Sequence, residues 1–215
     1  MKISAIIPAA GTGSRYSATK HKLLEELGGI PVILRTLETI SSVKEITEIV
    51  VSTSSEEISN LIKNYKTTPG GKTRQESVFN GLKALSSPDL VLIHDGARPL
   101  ISPKIIRNSI SIAAQKGAAI VAVPAKDTIK RVNPSTGEVI ETLNRKELWN
   151  VQTPQIFRYA DLLKAHETFA GQDFTDDAAL MEKAGHKVFV VQGSYKNLKI
   201  TTEEDFRIAQ SLIIP

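Results

Sequence analysis

With 215 residues, 41% of them hydrophobic, the chain is long enough to bury the full core of one α/β domain. The absence of cysteine excludes a disulfide framework, thiolate catalysis and cysteine-based metal sites, and fits a reducing cytoplasm. Lys and Arg exceed Asp and Glu by 27 to 23, a formal +4 that favours an anionic ligand. Aromatics at 5% and the lack of a long basic run argue against a nucleic-acid surface.

The first element is an apolar strand (Ile3, Ala5, Ile6, Ile7) leading into Pro8-Ala9-Ala10-Gly11-Thr12-Gly13-Ser14-Arg15. Small residues and two glycines let backbone N–H groups approach a ligand, and a cation follows at once, which is the chemistry of a phosphate cradle. Two familiar phosphate motifs fail on spacing. Tyr16 stands where a dinucleotide fingerprint needs its third glycine, and Tyr16-Ser17 stand where a P-loop needs Gly-Lys. Gly71-Lys72-Thr73 resembles a P-loop tail, but the upstream glycine position holds Lys66. A third kind of nucleotide loop or an ordinary strand-to-helix turn remains.

Further along, Pro31 is expected at N1 of a helix bearing Val32, Ile33, Leu34, Leu37 and Ile40. Glu48–Ser52 reads as a strand, and Ser54 as the cap of a helix with Ile58, Leu61 and Ile62. Val78, Leu82 and Leu85 share one helix face after Gly70-Gly71. Leu90–His94 is a continuous apolar strand, the pattern of a strand covered on both faces. Ser102-Pro103 has N-cap and N1 chemistry, and residues 119–123 form another buried strand. Such alternation predicts a largely parallel sheet flanked by helices, with ligands beyond the carboxyl ends of its strands.

Residues 128–143 break the alternation. Two β-like arms flank Asn133-Pro134-Ser135-Thr136-Gly137, a hairpin with little core of its own, for which a second subunit is a natural support. A helix near 159–169 follows, then one from Asp176 capped by Thr175, a strand at 188–191, Lys199 at the end of a short β-like stretch, and a last helix capped by Thr201-Thr202. The N-terminal apolar stretch is interrupted by Ser4 and Pro8, and Ala118–Ala125 is far below the ~20 residues of a membrane helix. The expectation is a cytoplasmic protein with no membrane partner.

The polar clusters are each ambiguous alone. Asp95-Gly96 after a buried strand can meet a ribose, a metal or a neighbouring cation, or can satisfy its own turn. Gly70–Ser77 opens a helix and suits anion or base-edge contacts, or simply connects two elements. The four histidines lack metal-ligand spacing, and no Gly-x-Ser-x-Gly elbow is present. Arg and Lys around one Asp, without an evident base, suit phosphoryl or nucleotidyl transfer, where the protein positions groups and neutralises charge.

Taken together, Pro8–Arg15 with Lys22-Leu23, Gly70–Val78, His94–Pro99, Lys126–Lys130, Asn144–Trp149, Gln152–Gln155, Phe174–Ala178 and Asn197–Thr201 resemble the 2-C-methyl-D-erythritol 4-phosphate cytidylyltransferase family, in order and over nearly the whole chain. The family usually has Pro-Lys-Gln where this chain has His21-Lys22-Leu23. Lys22 takes the lysine's place because Leu23-Leu24 runs on into Leu27–Pro31, with Lys20 as its rival.

The resemblance implies a Rossmann-like nucleotidyltransferase fold spanning 1–215 as one domain, with 128–143 as a dimerisation arm of a homodimer. It implies CTP and a sugar-alcohol phosphate as substrates and Mg²⁺ as cofactor. Arg15 and Lys22 would stabilise charge on the α-phosphate, while Arg145 and Lys199 position the attacking phosphate. Nucleotide contacts fall to Pro8, Ala9, Ala10, Gly11, Gly13, Gly70, Gly71, Arg74, Ser77, Asp95 and Gly96. The sugar phosphate falls to Arg98, Thr128, Thr153 and Thr175 with Arg145 and Lys199, of which Arg98, Thr128 and Arg145 serve the neighbouring subunit. Asp95 is the one candidate metal ligand. A sister family acting on ribitol 5-phosphate is the nearest alternative; it tends to carry Ser-Val where Gly96-Ala97 stand. A non-catalytic nucleotide-binding module is the alternative from another class.

Overall fold

The computed structural model describes residues 1–11, 16 and 21–213. The chain runs β1 (Ile3–Pro8), a two-residue-strand hairpin of β2 (Glu26–Leu27) and β3 (Ile30–Pro31), α1 (Val32–Ser41), β4 (Ile46–Ser52), α2 (Glu56–Leu61) and β5 (Lys66–Thr68). It continues through α3 (Arg74–Ala84), β6 (Leu90–Ile93), α4 (Pro103–Lys116), β7 (Ala118–Pro124), β8 (Lys130–Val132) and β9 (Val139–Thr142). The last third holds β10 (Trp149–Arg158), α5 (Tyr159–Thr168), α6 (Asp177–Lys183), β11 (Phe189–Gln192) and α7 (Glu203–Ile213).

Seven strands form one sheet in the order β11-β7-β10-β6-β1-β4-β5. All neighbours are parallel except β10, which runs antiparallel to both β6 and β7. The sheet is therefore mostly parallel, as the alternating pattern predicts. β10 escapes sequence reading because its first half is exposed (Trp149, Val151) and its middle buries polar Gln152, Thr153 and Gln155 instead of apolar residues.

Side chains of β1 divide the core by strand alternation. Ile3, Ala5 and Ile7 pack with Val32, Ile33, Leu37 and Ile40 of α1 and with Ile106 and Ala113 of α4. Ile6 points to the other face, against Val78 and Leu82 of α3, Leu162 of α5 and Met181 of α6. Helices thus cover both faces, and no helix among the described residues is long and apolar enough to cross a membrane. β8 and β9 pair as an exposed antiparallel hairpin outside the main sheet.

Several local expectations shift, two of them because the next residue along supplies the capping oxygen. Pro31 is the N-cap of α1 and not its N1 residue. Ser55, not Ser54, caps α2, its Oγ accepting from the Ile58 N–H. Asp176, not Thr175, caps α6, with Oδ1 accepting from the Ala179 N–H at 2.9 Å. Lys199 lies in a loop without strand pairing. Ser102 and Pro103 do hold the N-cap and N1 positions of α4.

Candidate active site

The sheet reverses direction of winding between β1 and β6, the place where ligands gather on open α/β sheets. Residues at and just past the ends of these two strands, Pro8–Gly11 and Asp95–Ala97, line a cavity of about 320 Å³. Its other walls are Lys22-Leu23, Gly71–Arg74 with Ser77, and Lys199 with Thr201. Four cations (Lys22, Lys72, Arg74, Lys199) face one carboxylate, Asp95. Such a balance selects an anion.

The α3 wall is built by capping. Thr73 is the N-cap, its Oγ1 accepting from the Glu76 N–H. Glu76 then reaches back to the Lys72 N–H at 2.6 Å, and Ser77 Oγ accepts from the Gly71 N–H at 3.0 Å. This wraps the loop onto the first helical turn and turns it toward β1. A Cβ on Gly70 would collide with the Ala10 side chain, and one on Gly71 with Glu76, so both glycines are required by close approach.

Asp95 is the hub. Its carboxylate lies 3.0 Å from Lys199 Nζ, 3.3 Å from Arg98 Nε and 3.4 Å from Arg74 Nε. Burial alone would raise its pKa, but Lys199, Arg74 and Arg98 together hold it well below the usual carboxylate range. Its N–H donates to Thr153 Oγ1 at 3.0 Å, and the Thr153 hydroxyl lies 3.0 Å from His94 Nδ1. Because the Arg98 carbonyl can only accept, His94 carries its proton on Nε2 and donates to it at 3.1 Å, and the remaining Nδ1 accepts from the Thr153 hydroxyl. Burial pushes the pKa of His94 down to about 4, which keeps it neutral.

A second set of buried polar groups fixes the far wall. The Gln152 amide donates to the Ser194 carbonyl, Asn197 Nδ2 donates to both Gln152 Oε1 and the Thr153 carbonyl, and Arg98 Nη1 donates to the Asn197 carbonyl. The loop carrying Lys199 is thereby tied to β10. Gln155 reaches the other way, donating to Asp176 Oδ2 and accepting from the Ala178 N–H. Gln152, Gln155 and Asn197 are functional supports that residue chemistry alone did not single out, although all three stand inside motifs that did.

Most of the expected nucleotide residues meet at this cavity: Pro8, Ala9, Ala10, Gly11, Gly71, Arg74, Ser77, Asp95 and Gly96 line it, as do Lys22 and Lys199. Gly70 sits immediately behind Ala10. Arg15, Gly13 and Lys20 lie outside the described residues. Tyr16 is buried and packs edge-on against Phe206 of α7, with ring centres 6.2 Å apart. Arg98 and Thr153 are turned inward onto Asp95. Thr128 and Arg145 are exposed at either end of the β8–β9 hairpin, where Arg145 donates to the Lys126 carbonyl, and Thr175 is exposed ahead of α6. None of these last three lines the cavity of its own chain.

A mostly parallel sheet with a basic, glycine-walled cavity at its switch point, holding one tethered carboxylate, fits a nucleotidyltransferase, the class to which its similarity to known proteins assigns the chain. The model of the 2-C-methyl-D-erythritol 4-phosphate cytidylyltransferase family matches residues 3–214. The chain belongs to that family. The enzyme of this name from Bacillus licheniformis is 44% identical, with 99% of this chain and 96% of that protein covered. That from Halalkalibacterium halodurans is 46% identical, over 99% and 97%. Among solved structures, the 4-diphosphocytidyl-2C-methyl-D-erythritol synthase of Anaerococcus prevotii superposes with a TM-score of 0.87 at 36% identity, over 99% of this chain and 96% of that one. The Thermus thermophilus cytidylyltransferase gives 0.83 at 31%, over 99% and 98%.

Proposed function

We propose that the chain, acting as a single domain over 1–215, joins CTP to 2-C-methyl-D-erythritol 4-phosphate, giving 4-diphosphocytidyl-2-C-methyl-D-erythritol and pyrophosphate for isoprenoid precursor synthesis by the non-mevalonate route. The observation that carries this reading is the cavity itself, with four cations and one triply held carboxylate at the switch point. A phosphate oxygen of the sugar-alcohol phosphate attacks the α-phosphorus of CTP in line. The bond from the α-phosphorus to the bridging oxygen breaks, and pyrophosphate leaves with the electron pair.

Ala10, Gly11 and Gly13 cradle the triphosphate with backbone N–H groups, Pro8 and Ala9 anchor that loop to the end of β1, and Gly70, Gly71 and Ser77 present polar groups to the base. Lys22, with Arg15, neutralises the charge that builds on the α-phosphate oxygens. Lys199 and Arg145 bring the attacking phosphate, itself an anion, against another anion. Thr175, Thr128, Thr153 and Arg98 complete the sugar-phosphate site.

Among the described residues no group of three or more acidic or histidine side chains is placed to hold a metal ion. One carboxylate among four cations fits a divalent ion that arrives with the triphosphate, so Mg²⁺ would be held by the nucleotide with Asp95 as the protein's single contribution. When bound, it supplies charge neutralisation across the phosphates.

Arg145 and Thr128 flank the base of the exposed hairpin, which carries Val132, Val139 and Ile140, apolar residues at 42%, 54% and 58% exposure. That combination supports a homodimer in which the arm delivers these residues to the partner's cavity. Incubation with CTP, Mg²⁺ and the branched erythritol phosphate should yield pyrophosphate and a cytidine diphosphodiester in equal amounts, followed by phosphorus NMR. A folded protein that binds CTP and yields neither would contradict this reading.

A further inference from the structure

Behind Arg74 a second carboxylate is buried where the reaction does not need one. Asp177 is 2% exposed and pairs through Oδ2 with Arg74 Nη1 at 2.7 Å, while Arg74 Nε lies 3.4 Å from Asp95. On its other side Asp177 Oδ1 faces His166 Nε2 across 3.5 Å. His166 is 2% exposed, and its ring stacks on Phe79 of α3 with an interplanar angle of 1° and centres 5.6 Å apart. A chain of charged and polar groups therefore runs from α5 through α6 to the cavity: His166, Asp177, Arg74, Asp95.

The fold gives no reason for this carboxylate. Asp176 already caps α6, with Gln155 bracing it. Ala178, Leu180 and Met181, which follow it in α6, are buried and apolar, whereas the Asp177 carboxylate faces Arg74 and His166. Burying a carboxylate costs free energy that its pairing only offsets, so it is the pairing with Arg74, and not the helix start, that accounts for Asp177. What the carboxylate does is fix the Arg74 fork. With one nitrogen on Asp177 and another on Asp95, the guanidinium has one orientation; released from Asp177 it is free to close on Asp95 alone and draw it from the nucleotide.

We propose that Asp177, backed by His166, is a positioning residue that holds Arg74 so that Asp95 stays aimed into the cavity at the nucleotide. The inference rests on the nucleotide reading of this cavity. Asp177→Asn should raise the KM for CTP about tenfold, the size of losing one charge-assisted hydrogen bond, and leave the KM for the sugar-alcohol phosphate within about twofold. Asp177→Glu should restore most of the CTP affinity. His166→Phe keeps the stack on Phe79 and should shift the CTP KM in the same direction by a smaller factor; it decides the matter if Asp177→Asn does not fold. Calorimetric CTP binding to Arg74→Ala is measured alongside. Weaker binding there, with unchanged CTP KM in a folded Asp177→Asn or His166→Phe, would overturn the positioning role and leave the cavity reading intact. Unchanged binding in Arg74→Ala would contradict the cavity reading itself.

Discussion

Asp95 meets three cations with one charge, so the cavity keeps a positive excess even with its carboxylate ionised. That excess is what a triphosphate and an attacking phosphate require of the protein, since neither brings its own compensation beyond a metal ion. Lys22 faces this space, and replacing it by alanine should lower kcat by ~10²–10³, the usual cost of one preorganised charge, in steady-state pyrophosphate assays. Retained turnover in Lys22→Ala would move the role to Lys20. His94 behind Asp95 gives a pH signature. Its folded pKa is near 4, against about 6.5 when unfolded, so between those values the unfolded chain binds the extra proton. Stability conferred by a neutral His94 is complete above about pH 6.5 and falls toward pH 4, by roughly 3 kcal/mol in all. Urea midpoints of the metal-free protein should drop over that window, and His94→Gln should flatten the drop.

At the scale of elements, β10 organises the site more than any other strand. Its residues Gln152, Thr153 and Gln155 reach the Lys199 loop, Asp95 and the start of α6 in turn. Gln155→Leu removes the partners of Asp176 Oδ2 and the Ala178 N–H, and should cost about 2 kcal/mol. At the size of this chain that lowers Tm by about 4–8 °C, measurable by calorimetry. Elements signalled by local chemistry were legible in the residues: the apolar run of β1, the Ser102-Pro103 start of α4, the Asn133–Gly137 turn of the hairpin. β10 was not, because its buried polar residues are satisfied by partners such as Asn197 and His94, 44 and 59 positions away, and no local pattern encodes them. The cavity residues were legible as types at strand ends. The role of Asp177 was hidden because Thr175-Asp176-Asp177 reads equally well as capping alone, and only the packing shows that one of the two carboxylates is left over for Arg74.

Across the whole molecule, each chain builds a basic cavity while leaving Arg145 and Thr128 outside it, at the base of an exposed hairpin. An isolated hairpin with apolar residues facing solvent is marginal on its own, and a partner subunit that receives it would settle both the arm and the missing substrate contacts. Mixing Arg145→Ala chains with Lys22→Ala chains should then recover activity, because some mixed dimers assemble one site with both cations intact. Any activity above the sum of the two parents supports sharing, and none places each site within one chain. The central claim, that this cavity passes a cytidylyl group to a branched four-carbon sugar-alcohol phosphate, is tested most directly by pyrophosphate release from CTP and Mg²⁺ with 2-C-methyl-D-erythritol 4-phosphate and ribitol 5-phosphate compared side by side. The account predicts robust release with the erythritol phosphate and little with the ribitol phosphate; the reverse preference would contradict it.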